Sequence, residues 1–283
     1  MTLAKSIPGR FAVAGNPIAH SLSPKIHAAF ASQYNSAIHY SAELVAQDLF
    51  EDWVSQFFQE GGRGLNVTLP FKIRAFELAD QASDRARAAG AANFLTVSDD
   101  GRLLADNTDG KGLIADIVTN AGWPLADARV LLLGAGGAVK GVIAALLAEG
   151  PRSIFIANRT ADRSAALAAL WSGERCSVVG GAYAEIPEGP WDMVVNGTST
   201  GLSGEMLPLP ESLTLAGDGV CYDMAYGAQP TSFMRWAQAH GAAQVRDGLG
   251  MLVEQAAESF YLWTGNAPRT DTVITALREG QLG

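Results

Sequence analysis

Residues 130–141 read Val130-Leu131-Leu132-Leu133-Gly134-Ala135-Gly136-Gly137-Ala138-Val139-Lys140-Gly141. Four consecutive apolar residues predict a strand buried on both faces, and Val139 to Ala148 has the spacing of a helix. The next strand begins near Ser153, so the glycine-rich turn sits inside a βαβ unit of Rossmann type. Glycines there let the backbone approach a pyrophosphate, whose charge is met by free amide hydrogens at the helix N-terminus. The third position of the dinucleotide fingerprint is Val139 rather than Gly or Ala, so the strand, turn and helix setting carries the reading. A tight structural turn is the plainer alternative.

Downstream, Ser153 to Ala157 predicts the second strand, and it ends in Asn158-Arg159-Thr160, with Arg163 one helical turn on. A chain using NAD would place a carboxylate here for the ribose hydroxyls. Arg159 instead suits a 2′-phosphate by sign of charge, so the expected cofactor is NADP. Two arginines on a solvated surface is the alternative. Further strands are expected at 192–196 and 219–223, and two helices between about Gly250 and Leu282 around Gly265 to Pro268. Upstream, 10–15 and 38–44 predict strands, Ser23-Pro24 an N-cap with proline at the first turn, and Leu49, Trp53 and Phe57 one face of a helix. Strand 65–68, short helices at 72–79 and 82–89, and a strand pair at 93–97 and 102–105 complete a first α/β region, with a boundary near Asp106. Residues 110–121 have helical spacing.

The chain has 283 residues, about twice a typical domain of roughly 150, so two domains are expected. Hydrophobic residues make up 48% and charged residues 17%, which excludes intrinsic disorder. A net charge of −9 argues against a nucleic-acid partner. Lys5, Pro8 and Arg10 interrupt any signal-peptide core, and no apolar run approaches the roughly 20 residues of a membrane span, so a cytoplasmic protein without membrane attachment is expected. Cys176 and Cys221 are expected to be reduced. The four histidines form no metal-ligand spacing, so no metal is expected. Gly197-Thr198-Ser199-Thr200-Gly201 matches a nucleophile elbow, but Gly204, Pro208 and Pro210 replace the helix that should follow it.

Three polar clusters stand at the ends of apolar strands, where an α/β sheet opens its ligand crevice: 20–24, 66–72 and 106–110. Taken singly, Ser23 and Asp109 read equally as N-caps and Lys72 as a solvated lysine. Together, their hydroxyls and amides suit a polyhydroxylated small-molecule substrate, and one Lys beside one Asp suits proton transfer to an oxygen.

The motifs GNPIAHSLSP, NVTLPFK, DNTDG, LLGAGGA, NRT, NGTSTG, YDMAY and DGLGMLVEQAA occur in the order seen in shikimate dehydrogenases, and the chain resembles that family from Gly15 to Ala257. The resemblance implies an N-terminal substrate-binding α/β domain (1–106), a Rossmann-type NADP-binding domain (107–246) and C-terminal helices (247–283) packing back on the first. It implies Lys72 and Asp109 as the catalytic pair, with Ser21, Ser23, Thr68, Asn93, Tyr226 and Gln255 also on the substrate. Gly134, Ala135, Gly136, Gly137, Ala138, Asn158, Arg159, Thr160, Arg163, Met224, Gly248 and Asp84 would border NADP. The implied reaction is reversible, NADPH-dependent reduction of 3-dehydroshikimate to shikimate in aromatic amino acid biosynthesis, with a quinate/shikimate dehydrogenase as the alternative. Closure of two lobes is expected to align the reactants, and a homodimer is compatible with the sequence. A binding module that senses NADP without turnover is the rival from another class. Where members commonly read A-V-N-T, this chain has Ala91-Ala92-Asn93-Phe94, so Phe94 faces either the core or the pocket.

Overall fold

The computed structural model describes residues 9–171, 173, 176–198 and 206–282. The strand before the glycine turn, β7 (Arg129–Leu133), lies near the middle of a sheet with β8 (Ser153–Ala157), β9 (Ser177–Gly181), β10 (Gly189–Asn196), β11 (Leu213–Asp223) and β12 (Gln244–Asp247). The order is β12-β11-β10-β7-β8-β9 and every pairing is parallel. This is the doubly wound dinucleotide-binding order, whose direction reverses between β7 and β10 and leaves a crevice at the strands' carboxyl ends.

The uninterrupted VLLL run follows from this position. Val130 and Leu132 enter one core with Val142, Ile143 and Leu146 of α6 (Gly137–Ala148); Leu131 and Leu133 enter the other with Phe233 and Trp236 of α8 (Ser232–Ala239). Helix α7 (Ala161–Ala169) follows β8. Strands β9 and β12 carry no signal in the sequence reading, because they are the sheet's edges and need fewer apolar residues.

The second sheet has the order β2-β1-β3-β5-β6-β4, built from β1 (Gly9–Gly15), β2 (Ile38–Leu44), β3 (Gly62–Val67), β4 (Gln81–Ala82), β5 (Phe94–Val97) and β6 (Leu103–Asp106). Strands β1, β2 and β3 are parallel, and β5 is antiparallel to both β3 and β6. The carboxyl ends of β1, β3 and β6 therefore share one edge with the start of β5, and all three polar clusters lie there. Helices α1 (Ser23–Gln33), α9 (Leu249–Thr264) and α10 (Asp271–Arg278) form one core through Ile26, Phe30, Val253, Phe260 and Val273; α2 (Phe50–Gln59) contributes to another with Ala12, Leu65 and Val67. Short helices α3 (Lys72–Leu78), α4 (Asp84–Ala89) and α5 (Asp109–Ile114) complete this region.

Three local expectations are corrected. Ser23 is the first helical residue of α1 and Leu22 holds the N-cap position, so Ser23 caps nothing. The buried stripe of α2 is Phe50, Val54 and Phe57; Leu49 is 53% exposed because it ends the 3-10 turn Gln47–Leu49 before the helix, and Trp53 is only partly buried against this core. Residues 110–121 begin as α5 and widen into a π-helical turn over Ala115–Asn120. The chain divides into two compact units, Met1–Gly112 with Leu252–Gly283, and Leu113–Met251. Leu113 and Met251 enter the parallel sheet's core, so the changeover falls a few residues beyond Asp106 and beyond residue 246. No helix among the described residues is long and apolar enough to cross a membrane.

Candidate active site

Lys72 opens α3 directly after Phe71, whose buried ring stacks on Phe50 at 4.4 Å and anchors the helix start. Its Nζ donates to Asp109 Oδ2 at 2.5 Å, with side chains 20% and 8% exposed. A charge-assisted bond this sheltered is strong, yet the ammonium keeps further hydrogens for an incoming oxygen. The carboxylate is held from the other side: Asn93 Nδ2 donates to Asp109 Oδ1 at 2.9 Å, and the Asp109 amide donates to Asn107 Oδ1 at 3.1 Å.

Asn93, just before β5, organises the centre. Its Nδ2 also lies 2.9 Å from Thr108 Oγ1 and 3.1 Å from Gln255 Oε1 on α9, while its Oδ1 accepts the Thr108 amide at 2.8 Å. Behind it, Asn66 Nδ2 donates to the Asn93 carbonyl and to Ser259 Oγ, both at 3.0 Å, and Tyr40 Oη donates to Asn66 Oδ1 at 2.7 Å. The turn before Asp109 is anchored by Asp106, which takes two bonds from Arg85 and one from Ser83; Arg85 also reaches Glu258 at 2.9 Å. Burial works against the Asp106 carboxylate, but these donors outweigh it and hold its pKa below the ordinary value.

Ser21, Ser23 and Thr68 lie on the same edge. Ser21 Oγ accepts the Ser23 amide at 3.3 Å, and the Thr68 methyl occupies space that a side chain at Gly15 would fill. Thus Lys72, Asp109, Asn93 and Gln255 are joined directly in one unit. Tyr226 belongs to the other, after β11, where burial pushes its phenol pKa up. Phe94 stacks on Trp263 at 5.0 Å and is buried, so it faces the core. Tyr40 and Ser259 were not expected: one sits in an alternating strand, the other inside an amphipathic helix, and nothing local marks either.

In the parallel sheet, Gly134 has φ +105°, a conformation favouring glycine, and a Cβ there would lie 3.2 Å from Thr198. A Cβ on Gly136 or Gly137 would meet nothing within 4 Å, so open space lies over the start of α6, beside Ala135 and Ala138. Val139 fits at the close-packing position because Gly197, after β10, has no side chain: a Cβ there would stand 2.5 Å from Val139 Cγ2 and 3.2 Å from Met224 Sδ. Gly248 packs its α-carbon directly on the Met224 backbone. Asn196 and Asp223 join the turns after β10 and β11 by a 3.0 Å hydrogen bond.

Asn158 Nδ2 donates to the Thr160 carbonyl at 2.9 Å. Arg159, Thr160 and Arg163 are exposed, and neither arginine has an ion-pair partner among the described residues. Glycine turn, free helix start and uncommitted arginines with no carboxylate at Asn158 fit a dinucleotide carrying an extra phosphate. Asp84 lies in the other unit, exposed and paired with Arg87 at 2.6 Å. Ser199, in the segment that only superficially matches a nucleophile elbow, lies outside the described residues.

An ammonium–carboxylate pair at the strand ends of one unit, and a dinucleotide-type turn on the doubly wound sheet of the other, are the parts of a nicotinamide-type oxidoreductase. The chain belongs to the shikimate dehydrogenase family. Residues 13–95 match the shikimate dehydrogenase substrate binding domain, 116–189 the shikimate/quinate 5-dehydrogenase domain, and 248–278 the shikimate 5′-dehydrogenase C-terminal domain. The chain is 54% identical over 270 residues to the shikimate dehydrogenase (NADP(+)) of Alkalilimnicola ehrlichii, covering 95% of this chain and 98% of that protein. Among solved structures it resembles an Ael1 enzyme from Pseudomonas putida (45% identity, TM-score 0.88, covering 95% and 98%). It also resembles the Thermus thermophilus shikimate 5-dehydrogenase in complex with NADP(H) and shikimate (34% identity, TM-score 0.83, covering 95% and 98%).

Proposed function

We propose that this chain is an NADP-dependent shikimate dehydrogenase that reversibly reduces the ketone of 3-dehydroshikimate to the hydroxyl of shikimate, on the route to aromatic amino acids. The observation carrying the proposal is the Lys72–Asp109 pair at 2.5 Å, braced by Asn93 and still open to a ligand. As the ketone carbon is reduced, negative charge grows on its oxygen; the Lys72 ammonium stabilises it and supplies the proton. Asp109 keeps that ammonium aimed. Ser21, Ser23, Thr68, Asn93, Gln255 and Tyr226 bind the substrate's polar groups.

When bound, NADPH supplies the hydride. In this reading residues 134–138 hold its pyrophosphate, Asn158, Arg159, Thr160 and Arg163 its adenosine phosphate, and Met224 and Gly248 flank it, with Asp84 a further bordering residue. The unit Met1–Gly112 with Leu252–Gly283 carries most of the substrate's residues and Leu113–Met251 most of the cofactor's. The protein works in the cytoplasm on a small molecule, and a homodimer is its proposed assembly.

The test is nicotinamide absorbance with shikimate and quinate against NADP and NAD. Shikimate with NADP is the expected best pair; better turnover of quinate would instead favour the alternative suggested by the domain matched over 116–189, whose description names both compounds. Lys72→Ala should lower kcat by about 10²–10⁴-fold, the usual worth of a positioned acid, while shikimate KM changes far less. An unimpaired kcat would remove Lys72 from the chemistry.

A further inference from the structure

Behind the Lys72–Asp109 pair, a buried chain of hydrogen bonds ends on a side chain that no motif contains. Tyr40 Oη donates to Asn66 Oδ1 at 2.7 Å, which fixes which end of that amide faces inward. The Asn66 NH₂ then spends its hydrogens on the Asn93 carbonyl and on Ser259 Oγ, both 3.0 Å away. Ser259 donates its own hydrogen to the Gln255 carbonyl at 3.0 Å and accepts from Asn66, and its oxygen lies 3.3 Å from Thr108 Oγ1. The polarity is thus set from the Tyr40 hydroxyl through the Asn66 amide to Ser259 Oγ. Asn66 grips the peptide of Asn93, whose side chain braces Asp109, and Ser259 sets the turn of α9 that carries Gln255.

Tyr40 is itself held flat. His27 stacks on it at 4.1 Å with planes 9° apart, and Trp263 closes the cluster, its ring filling the space over Gly64 where any side chain would collide.

We propose that Tyr40 is a positioning residue for the active site: its hydroxyl sets the Asn66 amide and, through Asn93 and Ser259, the orientation of Asp109 and Gln255 toward shikimate. The inference rests on the proposed function. Removing the hydroxyl takes from the buried Asn66 oxygen its 2.7 Å donor and frees the amide to shift.

Tyr40→Phe keeps the ring, the stack and the volume. With wild-type shikimate oxidation by NADP as control, Tyr40→Phe should lower kcat/KM for shikimate about tenfold while KM for NADP stays near wild type and the thermal midpoint falls by no more than a few degrees. Ser259→Ala should also lower kcat/KM, and the double variant should lose less than the product of the two single effects, because both act on one path. An unchanged kcat/KM in Tyr40→Phe, an equal loss of NADP affinity, or multiplicative single effects would overturn the proposal while leaving the proposed function standing. A wild type inactive on shikimate would overturn the proposed function and this inference with it.

Discussion

Asn93 shows how much one small amide can organise: its NH₂ faces three acceptors and its carbonyl oxygen holds the Thr108 amide, so the Asp109 carboxylate is aimed before any ligand arrives. His27 does the opposite, contributing shape more than hydrogen bonding. It is buried among aromatic rings, and burial lowers its pKa to about 3 against a smaller opposing pull from the Asn66 side chain. The unfolded imidazole takes up a proton near its ordinary 6.5 and the folded one does not, so stability is full above pH 6.5 and declines as pH falls toward about 3. Urea midpoints should show wild type losing about 2 kcal/mol more than His27→Phe between pH 7.5 and pH 5. Parallel losses in the two proteins would mean that His27 is not the acid-sensitive group.

Helix α6 meets the sheet through an exchange of volumes between its own Val139 and Gly197 at the end of β10. The dinucleotide fingerprint ordinarily places the small residue on the helix; here it sits on the strand side, and the close approach survives. Gly197→Ala should therefore cost about 1–3 kcal/mol by overpacking. Adding Val139→Ala should return part of that loss, as read from denaturant unfolding of the two singles and the double; additive costs would show that the residues do not share one space. The π-helical turn after α5 serves another fit, setting the buried Asp116 carboxylate 2.7 Å from Tyr222 Oη and 2.6 Å from Arg246.

Each unit buries its own cores on its own six-stranded sheet, and ligand binding to either should report as added stability of that unit. The overall charge is −9, so the exposed Arg159 and Arg163 are a local exception whose value lies in the anion they meet. NADP at about 100 times its Kd should stabilise the protein by about 2.7 kcal/mol, visible as a rise in thermal midpoint. Arg159→Glu should abolish most of that rise for NADP while sparing NAD, because a carboxylate repels the 2′-phosphate and accepts from ribose hydroxyls. Equal protection of the variant by both dinucleotides would remove Arg159 from cofactor choice.

The amino-acid order alone was enough to place β7, the turn at Gly134 and α6, because a doubly buried parallel strand and a positive-φ glycine leave local signatures that no distant contact supplies. The clusters holding Lys72 and Asp109 were legible for a similar reason: strand ends announce themselves by a switch from apolar to polar. Edge strands β9 and β12, the buried stripe of α2 and the side on which Phe94 packs were not, since each depends on which neighbour covers which face. Tyr40, Asn66, Ser259 and Asn93 became one hydrogen-bonded path only once β2, β3, β5 and α9 were assembled, for hydrogen bonds between residues as far apart as 193 positions exist only in the folded chain.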